Sequence, residues 1–157
     1  GGNDSNSAAS LEDCVLYSTP TCANAINAAE NPARAQLPGW LDTVYNAIRG
    51  HAPNARVVVL SYPRFYHNLW YCIGLSSTDR NKINEAADVL DGTISSAASR
   101  HGFAFADVRA TFASGHEICD GSSWLHSVDL SNLTQSYHPT AAGQSGGYLP
   151  AFTASAG

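Results

Sequence analysis

Arg56-Val57-Val58-Val59-Leu60-Ser61-Tyr62 places four apolar residues in a row with no polar alternation. A β-branched run of this kind reads as a strand covered on both faces, inside a parallel sheet with helices on each side. Ala52-Pro53-Asn54-Ala55 makes a turn before it, and Pro63 stops it. On the upstream side, residues 7 to 17 are rich in Ala and Leu and predict a helix closing near Ser18-Thr19-Pro20. A short second helix is expected from Cys22 to Asn31, ended by Pro32. From Pro38 onward Leu41, Val44, Tyr45 and Ile48 recur at three- and four-residue spacing, one face of a helix that Gly50 should terminate.

Downstream, 64–76 carries Phe65, Tyr66, Trp70 and Tyr71 without any period and reads as a long loop, a feature that is often functional in compact domains. A long helix is expected from Thr78 to His101, capped within Ser76-Ser77-Thr78-Asp79. Its buried stripe would be Ile83, Ala86, Ala87, Leu90, Ile94 and Ala98. Phe103 to Val108 reads as a second short strand, and the chain is then irregular as far as Tyr137. Ser136-Tyr137-His138-Pro139-Thr140 and Ala141-Ala142-Gly143 suggest a closing helix with Pro139 at its first position, which puts His138 at or just before the N-cap. An imidazole held rigidly and facing outward suits a general base.

Helix, strand, helix, strand, helix argues an α/β fold with right-handed crossovers. Two strands do not suffice, because the Val57–Leu60 run needs neighbours on both edges. Either strands lie outside this chain or another chain supplies them.

The 157 residues fit one domain or a large part of one, and 44% apolar with 13% charged is a globular composition. A net charge of −5 with eight Lys and Arg leaves no basic stripe, which argues against nucleic acid. No apolar run approaches a membrane span. Neither a leader at Gly1-Gly2-Asn3-Asp4 nor a lipid-anchor signal is visible, and that opening does not resemble a natural start. A single Lys, no Met and four cysteines fit a secreted, oxidised protein. Of three possible pairings, Cys14–Cys22 is favoured by closeness in sequence and Cys72–Cys119 by its two loops; free buried cysteines are the other reading. The chain-entropy model assigns the bridges about 2.6 and about 4 kcal/mol. His116-x-x-Cys119 is a weak zinc pattern, and no metal is expected.

Gly1-Gly2-Asn3-Asp4 and Ser136-Tyr137-His138-Pro139-Thr140 resemble the third and fifth sequence blocks of the SGNH (GDSL) hydrolases. Ser61-Tyr62-Pro63-Arg64-Phe65-Tyr66, Gly115-His116-Glu117-Ile118-Cys119 and Gly143-Gln144 with Gly147-Tyr148-Leu149-Pro150 are similar to the secreted actinobacterial esterases and lipases of that family. The resemblance implies a flavodoxin-like three-layer α/β/α fold, with 1–157 supplying the C-terminal part of one domain. It makes His138 the base and the Asn3 side-chain amide an oxyanion donor. The family's acid three residues before the histidine is absent, because Gln135 stands there. A main-chain carbonyl, of Gln135 or Ser136, would orient the imidazole without adding negative charge. No Gly-Asp-Ser-x-Ser block occurs, so the nucleophilic serine is expected on a missing N-terminal segment.

The expected function is therefore a secreted serine ester hydrolase acting on acyl esters of lipids or related substrates, needing no cofactor, and inactive as this chain alone. Phe65, Tyr66, Trp70 and Tyr71 are candidates for an acyl pocket, the first three foremost, or they roof the core. The alternative is a non-catalytic binding or structural protein that keeps the scaffold and exposes the strand edge. Asp107 and Asp129 have the wrong spacing for a triad acid and read as surface residues. His51, His67, His101 and His126 read as solvated. Asn3-Asp4-Ser5 and Asn132-Leu133-Thr134 match the glycosylation pattern.

Overall fold

Val58, Val59 and Leu60 form β1 (Val58–Leu60), which pairs in parallel with β2 (Ala104–Ala106) in the register Val58–Ala104, Val59–Phe105, Leu60–Ala106. The structure is a computed structural model and describes residues 7–17, 19–129, 131–132 and 135–157. The helices are α1 (Ser7–Leu16), α2 (Thr19–Ala35), α3 (Leu37–His51), α4 (Ser77–Arg100), α5 (Arg109–Phe112) and α6 (Leu149–Ala156). The last is preceded by a π-helical segment, Gly143–Tyr148.

The parallel pair needs a crossover, and α4 supplies it. Ile83, Leu90, Ile94, Ala97 and Ala98 are buried along α4, as its stripe requires. Val59 and Phe105 pack with Leu90 and Ile94, together with Ala33 of α2 and Leu37 of α3. Farther along the same face, Tyr45, Ala97, Ala98 and Phe103 form a second cluster against Val57 and Val59. By the period-two alternation Val58, Leu60, Ala104 and Ala106 face the other way, toward the side on which α6 packs. Helices on both faces of a parallel sheet make the three-layer α/β/α arrangement.

β1 is less covered than its sequence implies. Val58 and Val59 are half-buried and Leu60 is 39% exposed, because β2 is the only strand beside it among the described residues. Trp40 and Val44 on α3, and Leu149 and Phe152 on α6, are exposed as well. The sheet and both its covering layers thus carry open apolar surface.

Several boundaries differ from the sequence reading: α2 begins at Thr19 rather than Cys22, β2 covers only Ala104–Ala106, and the stretch expected to be irregular opens with α5. Pro32 does not stop α2, which continues to Ala35. Burying Ala33 against α4, with the Thr93 hydroxyl donating to the Ala33 carbonyl at 3.2 Å, offsets the hydrogen bond that proline cannot make. Gly50 lies inside α3, and the helix ends one residue later, where Ala52 N–H reaches the Ile48 carbonyl. Pro139 is not a helix start. It pairs with Leu125 in an antiparallel bridge, and Thr140 caps the closing helix by accepting from Gly143 N–H at 3.1 Å.

Both cysteine pairings expected from sequence occur, Cys14 with Cys22 and Cys72 with Cys119. Cys119 is therefore no thiolate ligand. His116 stacks on Trp124 at 3.5 Å and bonds the Ser122 carbonyl through Nδ1.

Candidate active site

His138 is exposed and is fixed from its backbone rather than its ring. Its carbonyl accepts from His126 N–H at 2.9 Å, and its own N–H donates to the Gln135 carbonyl at 3.2 Å. Tyr137, immediately before it, donates its N–H to the His126 carbonyl at 2.9 Å. Tyr137 also has φ of 67°, left-handed backbone that a bulky side chain rarely adopts. Such a conformation persists only where surroundings impose it. The imposing contacts are the Tyr137 ring edge-on to Phe65 at 5.4 Å and the Tyr66 hydroxyl 3.1 Å from the Tyr137 hydroxyl. With Tyr137 turned inward onto the core, His138 is turned out. Burial raises the Tyr137 phenol above its ordinary range, so it stays neutral.

Among the described residues the His138 imidazole has no hydrogen-bond partner, and neither the Gln135 nor the Ser136 carbonyl bonds to it. The Gln135 carbonyl is engaged by the His138 backbone, and the Gln135 side chain lies 3.3 Å from His126 Nε2. Ser136 is buried, its hydroxyl accepting from Asp129 N–H at 2.9 Å. Asn3 lies outside the described residues, as does the Asn3-Asp4-Ser5 pattern. Leu133 and Thr134 of the second glycosylation pattern do too.

The expected acyl-binding aromatics separate. Tyr66 is 4% exposed and belongs to the core, so it lines no open pocket. Trp70 is 92% exposed and encloses nothing. Phe65 is half-buried against Tyr137, one residue from His138. A shallow cleft of about 480 Å³ lies elsewhere, between Arg34, Pro38, Val89, Thr93, Ser96 and Arg100. It shares no lining residue with this group.

Two of the histidines expected in solvent have acid partners: His67 is exposed as expected, whereas His101 is largely covered. His67 Nδ1 lies 2.7 Å from Asp120, and His101 Nε2 lies 2.9 Å from Asp42 with its ring edge-on to Tyr45. Asp107 and Asp129 are local structural acids. Asp107 binds Arg109, whose guanidinium holds the carboxyl below its usual range, and Asp129 accepts from Ser131.

The sequence reading passed over one polar assembly. Arg80, Asn84 and Asp88 recur every four residues on α4, and Asp91 follows three later. Asn84 accepts from Phe65 N–H and Tyr66 N–H, both at 3.0 Å, and donates to the Tyr66 carbonyl at 2.7 Å. Asp88 bonds Arg64. Asp91 is 1% exposed; its Oδ1 accepts from Tyr62 N–H at 2.8 Å, and Arg109 Nε stands 3.6 Å from Oδ2. Burial pushes its carboxyl up to about 7. The chain leaving β1 is therefore held to α4 residue by residue, and that chain supports Tyr137. The spacing of four was the available signal, and it runs beside the apolar stripe on the same helix.

A parallel sheet between helix layers, with an exposed histidine braced just before the closing helix, makes an α/β scaffold of three layers. The chain belongs to the GDSL-like Lipase/Acylhydrolase family, whose model matches residues 1–145. It is 54% identical over 156 residues to Lipase 1 of Streptomyces coelicolor, covering 99% of this chain and 58% of that protein. With a lipase of Streptomyces rimosus it shares 50% identity over 151 residues, covering 96% of this chain and 56% of the relative. The chain thus spans somewhat more than half the length of these relatives. The crystal structure of phospholipase A1 from Streptomyces albidoflavus superposes with a TM-score of 0.95 at 50% identity, over 99% of this chain and 66% of that one. The extracellular lipase of Streptomyces rimosus gives 0.94 at 48% identity with the same coverage.

Proposed function

We propose that the chain is the C-terminal part of a secreted serine ester hydrolase that cleaves acyl esters of lipids, with its nucleophile on a segment preceding Gly1. The observation that carries the reading is the exposed His138 imidazole, aimed outward by a braced backbone and without a partner among the described residues. A base so placed serves a nucleophile brought to it. Serine Oγ attacks the acyl carbonyl while His138 takes its proton, and the proton then passes to the leaving alcohol. Water, deprotonated by the same imidazole, hydrolyses the acyl-enzyme and releases the carboxylic acid.

Asn3 is assigned to the oxyanion on its sequence block alone. Of the two candidate carbonyls, that of Ser136 is the better orienter of the ring, since the Gln135 carbonyl already serves the His138 backbone. Phe65 is the aromatic suited to meet an acyl chain beside the base. The open surfaces at Leu60, Trp40, Val44, Leu149 and Phe152 fit a sheet completed by that preceding segment. Two disulfides suit an oxidising compartment, and no described helix is long and apolar enough to cross a membrane.

The isolated 157-residue chain should not turn over a p-nitrophenyl ester, whereas the protein carrying the preceding segment should. Turnover by the isolated chain that survives His138→Ala contradicts the proposal.

A further inference from the structure

The segment between Tyr66 and α4 rises into a knuckle, Leu69-Trp70-Tyr71-Cys72-Ile73, that turns its largest apolar side chains outward. Trp70 is 92% exposed, Ile73 98% and Tyr71 55%, with Trp70 edge-on to Tyr71 at 5.5 Å. A flexible loop would fold such residues back. This one is held out by a buried arginine. Arg80, 4% exposed, directs its guanidinium to Asn68 Oδ1 and to the carbonyls of Leu69, Cys72 and Leu75. The Cys72–Cys119 bridge fastens the tip, and Asn68 Nδ2 donates to Ser77 Oγ and Asn81 Oδ1, both at 2.8 Å.

The loop's backbone is bonded within the domain as well. Leu69 N–H reaches the His67 carbonyl at 2.8 Å, and Cys72 N–H the Leu69 carbonyl at 3.2 Å. It therefore presents side chains rather than a strand edge to whatever meets it. No charged residue stands between Asn68 and Thr78.

We propose that Trp70, Tyr71 and Ile73 form an interfacial anchor that inserts into the surface of aggregated, electrically neutral lipid. Trp and Tyr sit naturally where one end of a ring is apolar and the other wet, and an aliphatic residue beside them reaches deeper. A preformed tip loses little conformational freedom on insertion. With a net charge of −5 and no basic residue in the loop, attraction to an anionic surface plays no part, which selects zwitterionic lipid. The anchor is tied to the candidate base. Phe65 and Tyr66, a few residues upstream, brace Tyr137, so docking through the knuckle presents His138 and the lipid to one another along one rigid assembly.

The choice of lipid as partner rests on the ester-hydrolase reading, and the test separates the two. Full-length protein is mixed with vesicles of diether phosphatidylcholine, whose ether bonds an ester hydrolase leaves intact. Binding is read by co-sedimentation and by a blue shift of tryptophan emission. The wild type should bind, and added salt should not release it. Ile73→Asp and Trp70→Ser should each weaken partition about tenfold or more. Ile73→Asp should keep the melting temperature, the gel-filtration volume and, within about twofold, the turnover of a water-soluble short-chain ester.

The proposal is overturned if the wild type fails to bind or if both variants bind as it does. A dimer that Ile73→Asp converts to monomer would make the patch an interface between copies and overturn it too. So would a fall in melting temperature in Ile73→Asp, which would mean that the rest of the chain covers the tip. Vesicle binding without any ester turnover would sink the hydrolase reading and leave the anchor standing.

Discussion

At the scale of single residues, His138 and Asp91 lead to opposite expectations. The His138 ring is exposed and has no hydrogen-bond partner among the described residues, so His138→Ala in the full-length enzyme should cost roughly a thousandfold in kcat. It should leave the unfolding midpoint in urea unchanged. Asp91 matters to the fold instead. Its carboxyl is raised to about 7 in the native state and is ordinary when unfolded, so between these values the native state binds the extra proton. Stability must then fall as pH rises from the ordinary carboxylate range through about 7. Urea titrations at pH 5 and pH 8 should give the lower midpoint at pH 8, and Asp91→Asn should remove most of that difference. Asp42 and Asp107, held low by His101 and Arg109, act in the other direction and lose their contribution only as pH falls below the usual carboxylate range. An unchanged slope in Asp91→Asn would refute the assignment. The sequence could nominate His138 because its block of residues is distinctive. The means of holding it was not, because the positive φ of Tyr137 and its contacts with Phe65 and Tyr66 join positions 71 and 72 residues apart.

Among the elements, the closing helix and the loop before α4 make the sharpest demands on sequence. The π-helical turn brings glycine against aromatic rings. A Cβ at Gly147 would stand 2.5 Å from the fully buried Phe112 ring, and one at Gly143 would strike the Trp124 carbonyl. Gly147→Ala should therefore destabilise by about 1–3 kcal/mol, measured by urea unfolding, because neither partner has room to yield. The exposed Gly39, with nothing near its Cβ position, should accept alanine without loss. Arg80→Ala should cost about 2–3 kcal/mol by orphaning carbonyls around the knuckle. Arg80→Lys should recover little of it, since one ammonium cannot reach acceptors spread over Asn68, Leu69, Cys72 and Leu75. Apolar period made α3 and α4 legible, and Val57–Leu60 announced β1. Pro32 and Pro139 misled because proline is a local signal: burial of Ala33 carried α2 past the first, and pairing with Leu125 claimed the second. Arg80 was illegible for a related reason, since a charged residue on a helix reads as solvated until the loop that covers it is known.

At the scale of the whole chain, the sheet of two strands among the described residues is the organising fact. The sequence already implied that two strands leave Val57–Leu60 short of a neighbour, and Leu60 is indeed open along with apolar residues on the helices of both layers. The chain spans somewhat more than half of the curated relatives it matches, so the completed sheet and the completed active site are parts of one proposal. Joining the preceding segment should raise the melting temperature of this chain as well as confer activity, because it would cover the apolar surface at Leu60, Trp40 and Phe152. The most direct test of the central claim is covalent. The longer protein is treated with an alkyl fluorophosphonate, digested, and the modified residue located by mass spectrometry. The account predicts one modified serine, situated before Gly1, with labelling abolished in His138→Ala. A modified serine within residues 1–157, or labelling that persists without His138, would contradict it.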